Sequence, residues 1–297
     1  MVVGFISLTG IRVSSSRLPF TIAHAHTSSK PRSHAGVFRK GFTALHAAAA
    51  FASWPVVDAL LTMGVNPKVT VAASGWDPLM SMCWSNRSNN VRRWCARFPT
   101  WNLSRRSTVR GETAMGIALG YGPDSTETVK ALVMARVNHL EVTALTGATI
   151  LHTAATNRDT DVELVRYLLG LPGVQAMIDT PMRGRTTLWK LKYLTARLFM
   201  KLRRKKTSTN TKTVSGWSMQ TPLMSASRTG NAAVIKVLVL EGGADIHPRN
   251  SQGHRAFDVL VGGDFSLEES KTLLDPVKKL AAFGLGGKTS YSPSNND

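Results

Sequence analysis

Acidic residues are scarce in this 297-residue chain. Eighteen Asp and Glu stand against 37 Lys and Arg, for a formal net charge of +19 and a pI near 10.6. The shortage is uneven: no acid precedes Asp58, none lies between Asp77 and Glu112, and none between Asp179 and Glu241. Such asymmetry points to acidic partners, anionic lipid or nucleic acid, or to an address signal. Cysteine is nearly absent as well, since Cys83 and Cys95 are the two present. Two thiols cannot build a disulfide framework or a cysteine zinc site, and they read as buried, reduced groups of a cytosolic or nuclear protein. Long apolar runs are missing too, because His46, Pro55 and Asp58 break even the Ala-rich region, which excludes a membrane span there. No Ser/His/Asp set, carboxylate pair or metal cluster can be assembled, so neither an enzyme nor a bound cofactor or metal is expected. The run Ala282-Phe-Gly-Leu-Gly-Gly-Lys288-Thr289 superficially matches a phosphate loop. It lacks the preceding strand and the following helix that such a loop requires.

What is present is a beat. The stretch from Thr221-Pro-Leu-Met224 through Gly230, Ile235 and Leu238-Val239 to Gly242-Gly-Ala-Asp245 recurs along the chain. At Thr43 the same ruler gives Thr43-Ala-Leu-His46, Val57, Leu60-Leu61 and Gly64 without a gap. At Asp77 it gives Asp77-Pro-Leu-Met80, Val91 and Trp94-Cys95. Starts at Thr113 and Thr149 carry two extra residues before Leu132-Val133 and Leu168-Leu169, and weaker starts stand at Gly184-Arg-Thr-Thr-Leu188 and Gly253-His-Arg-Ala-Phe257. The lead positions Gly41, Gly75, Gly111, Gly147, Gly184, Met219 and Gly253 are spaced by 34, 36, 36, 37, 35 and 34 residues.

Each recurring residue has a physical role. Thr43, Thr149 and Thr221 stand where a helix begins and can cap its orphan N–H groups, while Pro78 and Pro222 fill a first-turn position whose N–H has no partner. Val57, Leu60 and Leu61 make an apolar face at helical spacing. Gly64, Gly173 and Gly242 are expected to close the second helix in the left-handed conformation.

With its Thr-Pro-Leu-His-like start, second helix and Gly-Ala-Asp ending, the unit resembles the ankyrin repeat, whose period is about 33 residues. The resemblance covers about 38–282 and implies an all-α ankyrin-repeat solenoid of six or seven helix-turn-helix units with short hairpin-like finger loops. It implies that His46 and His152 bond to their Thr and to a neighbouring loop. It also implies non-catalytic protein–protein interaction through the concave face and fingers, here with an acidic partner. Finger positions expected to touch that partner are Lys68, Trp76, Arg105, Arg106, Arg110, His139, Arg183, Arg185 and Arg249. Trp94, at a Leu position, is expected in the core, and Trp76 and Trp101 at the surface.

The remaining segments fall outside the beat. Residues 1–37 read as a basic disordered tail or a targeting segment, and residues 283–297 as a second tail. Between 38–180 and 219–282, residues 181–218 have the length of a unit but no Gly or Pro to turn two helices over Thr187–Lys206. The segment reads as one basic amphipathic helix followed by a flexible loop. Leu188, Leu191, Leu194, Leu198 and Leu202 recur at helical spacing, beside Trp189, Lys190, Lys192, Arg197, Lys201, Arg203, Arg204, Lys205 and Lys206. It is either a degenerate unit packed in the array or an attachment helix for an anionic membrane, a calmodulin-like partner or nucleic acid. Its Lys201–Lys206 run also fits a nuclear import signal. The expected location is the cytoplasm, with the nucleus or an organelle as alternatives.

Overall fold

The computed structural model describes residues 41–108, 111–121, 124–184, 187, 190–191, 194–195 and 219–261. The two tails, residues 262–282 and most of the basic segment lie outside the described residues. Helices come in pairs: Ala44–Phe51 (α1) with Trp54–Thr62 (α2), Pro78–Trp84 (α3) with Ser88–Arg97 (α4), and Ala114–Gly120 (α5) with Thr126–Met134 (α6). Ile150–Thr156 (α7) and Val162–Leu169 (α8) follow, then Pro222–Thr229 (α9) with Ala232–Lys236 (α10), and finally Ala256–Val261 (α11). No strand occurs among the described residues.

The helix starts form as their side chains dictate. Asp77 Oδ1 accepts from Met80 N at 2.8 Å, and the hydroxyls of Thr113, Thr149 and Thr221 accept from the N–H three residues on, at 3.3, 3.4 and 3.3 Å. Asp161 and Asn231 cap the second helices of their units in the same manner. Stacking then supplies the core. The first helices pack in series, α1 on α3, α3 on α5, α5 on α7, α7 on α9 and α9 on α11. Leu45, Leu79, Met115, Leu151 and Leu223, at one register position in successive units, are all essentially inaccessible.

Between units the chain makes a tight finger. Val71 N donates to Trp76 O at 2.8 Å, Ser107 N to Glu112 O at 2.8 Å and Thr143 N to Ala148 O at 2.9 Å, so four residues separate each closing pair. The last of those four is the lead residue, and it is left-handed in every case: Gly75 at φ 68°, Gly111 at 67° and Gly147 at 70°. Met219 holds the same position at φ 62° without being glycine. A Cβ on Gly147 would sit 2.6 Å from Arg183 O, so the neighbouring finger enforces glycine there as strongly as φ does.

The start expected at Gly184 is corrected by the structure. Met182 N donates to Gln220 O at 2.7 Å and Met219 N to Met182 O at 2.8 Å, closing a finger of the same kind with residues 183–219 inside it. Helix α9 packs directly on α7, Thr229 Oγ1 bonds Ala155 O at 2.9 Å, and Arg166 Nη2 meets Glu241 at 2.7 Å. Among the described residues, the unit that packs on the fourth is therefore the one at Thr221. The described stack holds five helix pairs and the first helix of a sixth. A second correction concerns Gly242, which has φ −85°, while Gly243 at 68° takes the left-handed position. The wider π-type winding of Val237–Glu241, with Gly242 N bonded to Val237 O, delays the turn by one residue.

Deleting residues 185–217 leaves Arg183, Gly184, Ser218 and Met219 between Met182 and Gln220, a finger of the standard length. This variant is expected to unfold cooperatively with a stability within about 1 kcal/mol of the intact chain; loss of the cooperative transition would place the segment in the stack. Met219→Gly is expected to raise stability by up to about 1 kcal/mol, because glycine carries no Cβ penalty at positive φ, read as a shift in denaturation midpoint.

Candidate interaction surface

Two histidines bolt one unit to the next. In the first unit, Nδ1 of His46 lies 2.9 Å from Thr43 Oγ1 and accepts from Thr43 N at 3.4 Å, while Nε2 reaches Trp76 O of the second finger at 3.1 Å. In the fourth unit, His152 Nδ1 accepts from Thr149 N at 3.1 Å and meets its hydroxyl at 2.9 Å, and Nε2 reaches Gln220 O at 3.0 Å. A carbonyl can only accept, so each ring carries its proton on Nε2 and offers Nδ1 as an acceptor. The roles implied by the family resemblance are thus met. Burial lowers both imidazoles, His152 to about 4, and the hydrogen bond to Gln220 offsets this in part. Protonation at Nδ1 would also cost the two bonds it accepts.

Arginines and amides complete the stapling. Arg87 donates to Ala50 O at 3.1 Å and Phe51 O at 2.8 Å, at the C-terminal end of α1. Arg97 pairs with Asp58, Arg92 with Glu127 at 2.5 Å, and Arg166 with both Glu163 and Glu241. Asn90 and Asn157 each reach back to carbonyls of the preceding unit. The basic character of the second unit is therefore largely engaged within the array.

The partner-facing residues expected from the sequence divide accordingly. Lys68, Arg183 and Arg249 are exposed, and none forms an ion pair among the described residues; Arg249 Nη1 donates to Gly253 O at 2.6 Å. Lys190 is also exposed. Arg106 is a staple, with Nη1 on Gly111 O at 3.2 Å and Val142 O at 2.8 Å and Nη2 on Glu141 at 3.2 Å. Half-buried His139 bonds Pro172 O at 2.9 Å through Nε2, which ties it to the following unit. Arg105 is half-buried beside Asp77, whose carboxyl burial pushes up, against the Met80 N–H, Arg105 and the Trp101 indole. Arg110, Arg185, Trp189, Lys192, Arg197, Lys201, Arg203, Arg204, Lys205 and Lys206 lie outside the described residues.

Two tryptophans depart from expectation. Trp76 is only 6 % exposed, with ring centroids 6.3 Å from Trp84 and 6.0 Å from Tyr121. Trp101 is half-buried, edge-on to Trp94 at 5.0 Å, and donates to Asp77 Oδ2 at 3.3 Å. Both fill space where a finger meets its helix pair, a position that composition does not distinguish from an exposed tip. Trp94 is fully buried, as its Leu position predicts. Both thiols are held up by burial, Cys95 to about 11.

Sequence reasoning missed two features. Asn66, Asn102, Asn138 and Asp245 each accept from the backbone N–H two residues on, forming Asx turns at the entry to a finger; the 36-residue spacing of the three asparagines was the available signal. Half-buried Phe51, Trp84 and Tyr121, at the ends of α1, α3 and α5, form an aromatic ladder with Trp76. Among the described residues no group of His, Cys, Asp or Glu is placed to hold a metal, and no helix is long and apolar enough to cross a membrane.

Stacked helix pairs bolted through side chains, with variable fingers between them, define a repeat array. The ankyrin repeat family model matches residues 40–70 and 219–251, the first and fifth units. A chain from the structure of the Bdellovibrio bacteriovorus predatory endopeptidase Bd0816 in complex with immunity protein Bd3460 is 21 % identical, with a TM-score of 0.55 over 80 % of this chain and 99 % of that one. The human ASB11 ankyrin repeat domain is 23 % identical, with a TM-score of 0.44 over 78 % of this chain and 96 % of that one. No curated protein sequence matches. The chain is an ankyrin repeat protein, and its fold is an all-α ankyrin-repeat solenoid.

Histidine burial makes the array acid-sensitive. The unfolded imidazole of His152 takes up a proton at its ordinary value of 6.5, the folded one only near 4. Stability is therefore full above pH 6.5 and falls as pH drops towards 4, by about 3 kcal/mol in all; His46 adds to the same trend. His152→Gln is expected to be less stable at neutral pH by about 1–3 kcal/mol but to show a flatter profile between pH 6.5 and 4 in urea denaturation. An equally steep profile would remove His152 as the source.

Proposed function

We propose that this chain is a non-catalytic interaction scaffold that binds an acidic protein surface through the fingers of its array. Ankyrin repeats mediate protein–protein contacts, and the observation that carries the finer reading is the division among the cations. Arg87, Arg92, Arg97, Arg106 and Arg166 are engaged in stapling. Lys68, Arg183 and Arg249 remain exposed at or beside the first, fourth and fifth fingers, where a partner's carboxylates can reach them. The aromatic ladder of Phe51, Trp84 and Tyr121 adds apolar surface next to the finger residue Trp76, the kind of anchor around which rim charges set orientation and on-rate. The reading keeps the scaffold in the cytoplasm.

A second reading is favoured by one observation: Leu191 and Leu194 of the basic segment are exposed. In that reading the array is a support, and the segment attaches it to an anionic membrane, a calmodulin-like protein or nucleic acid.

The first reading is tested by comparing proteins captured by the wild type, by the Lys68→Glu, Arg183→Glu, Arg249→Glu variant and by the 185–217 deletion. Acidic partners are expected to weaken by roughly tenfold or more on the triple variant and to persist on the deletion. Persistence on the triple variant with loss on the deletion would overturn the finger reading.

A further inference from the structure

We infer that the second helices of the array form a further docking surface, which takes an acidic amphipathic helix of a partner protein across Met63, Met134 and Leu240. These residues are separate from the fingers, so this surface stands or falls independently of the finger reading.

The second helices pack on one another in a layer of their own, α2 on α4, α4 on α6 and α8 on α10. Three large apolar side chains stand out from it. Met63 is 71 % exposed, Met134 76 % and Leu240 58 %. Each lies where a second helix ends: Met63 follows α2, Met134 is the last residue of α6, and Leu240 is in the π-type turn after α10. Their register is nearly constant. Leu240 stands 19 residues after Thr221, Met63 20 after Thr43, and Met134 21 after Thr113 in a unit with two extra residues. They therefore mark the first, third and fifth units along one edge of the layer.

Free charge along that edge is of one sign. The four carboxylates carried by these helices are all held by cations: Asp58 by Arg97, Glu127 by Arg92 and Lys130, and both Glu163 and Glu241 by Arg166. The exposed acids Asp124, Asp159 and Asp161 stand at the other end of the layer, where the second helices begin. Arg93, Arg136 and Lys236, by contrast, are exposed and form no ion pair among the described residues. Arg93 lies on α4 between α2 and α6, Arg136 two residues beyond Met134, and Lys236 four residues before Leu240. An acidic partner thus finds an unpaired cation near each apolar anchor and no unpaired carboxylate on these helices to repel it.

The spacing selects a helix. Packed helices lie about 8–10 Å apart, so anchors two units apart are separated by roughly 16–20 Å. Eleven residues of α-helix rise about 16.5 Å and return to nearly the same face. A helix laid along the layer, with an apolar residue about every eleventh position, meets all three anchors while acids flanking that line meet the cations. Methionine, unbranched and adaptable, suits such a seat. A nucleic acid would engage the cations and leave Met63, Met134 and Leu240 in water. A flat bilayer would press on the whole layer and desolvate its paired carboxylates as well.

The test is fluorescence anisotropy of the full chain with a labelled synthetic helix of about 23 residues, built of Glu and Ala with leucine at every eleventh position. A second peptide has the same composition with its leucines moved to different faces. The wild type is expected to bind the first at least roughly tenfold more tightly than the second. Met63→Gln with Met134→Gln and Leu240→Gln keeps the charge and alters exposed positions; it is expected to bind the first peptide roughly tenfold or more weakly, with an unchanged thermal melt. Arg93→Glu with Arg136→Glu and Lys236→Glu is expected to weaken binding likewise. The Lys68→Glu, Arg183→Glu, Arg249→Glu variant is expected to bind this peptide like the wild type, so the finger reading fails or holds separately. The inference is overturned if the glutamine variant binds like the wild type, if the two peptides bind alike, or if the first peptide is ignored, whether or not phosphatidylserine vesicles or single-stranded RNA are bound.

Discussion

No helix among the described residues exceeds ten residues, a length at which an isolated helix in water is marginal. Burial of each first helix between its neighbours is the contact on which the rest depends. Leu79, Met115, Leu151 and Leu223 disappear from solvent because another unit lies on each side, and the caps, fingers and bolts serve to keep successive units in that register. The bolts act at the base of a finger, on the Trp76 and Gln220 carbonyls that also close it, where a misplaced imidazole would leave a buried polar group unsatisfied.

That register has chemical consequences. A neutral, Nε2-protonated imidazole is required at His46 and His152, so the joints of the array carry its pH dependence. The ion pairs Arg92–Glu127, Arg97–Asp58 and Arg166–Glu241 each join adjacent units across exposed surface. Singly such pairs contribute little. The array's own excess is small, 17 Lys and Arg against 13 Asp and Glu over 41–184 and 219–261, so the chain's strong basicity resides in the inserted segment and the first 40 residues.

Where an insertion enters a stack depends on what the stack must keep. A finger is closed by backbone hydrogen bonds at its base and is otherwise open to solvent, so added length costs little in loop entropy. Inside a helix pair the same residues would separate two packed faces. The fourth finger accordingly accepts residues 183–219 while Met182 and Gln220 retain their pairing.

The sequence alone determined the helix starts, the repeat and its period, because caps, prolines and apolar spacing act over a single turn or a single helix. It also determined the histidine bolts, through the likeness of Thr43-Ala-Leu-His46 and Thr149-Ile-Leu-His152 to the family signature, and the burial of Trp94, through its Leu position. It could not decide whether Gly184 opens a unit. That depends on whether Gln220 or some residue after Gly184 meets His152, a contact spanning 68 residues. Nor could it tell an exposed finger arginine from one that staples two units: Arg106 and Arg183 both stand at the base of a finger. Only the neighbouring unit, which brings Val142 O and Glu141 to the one and solvent to the other, separates them.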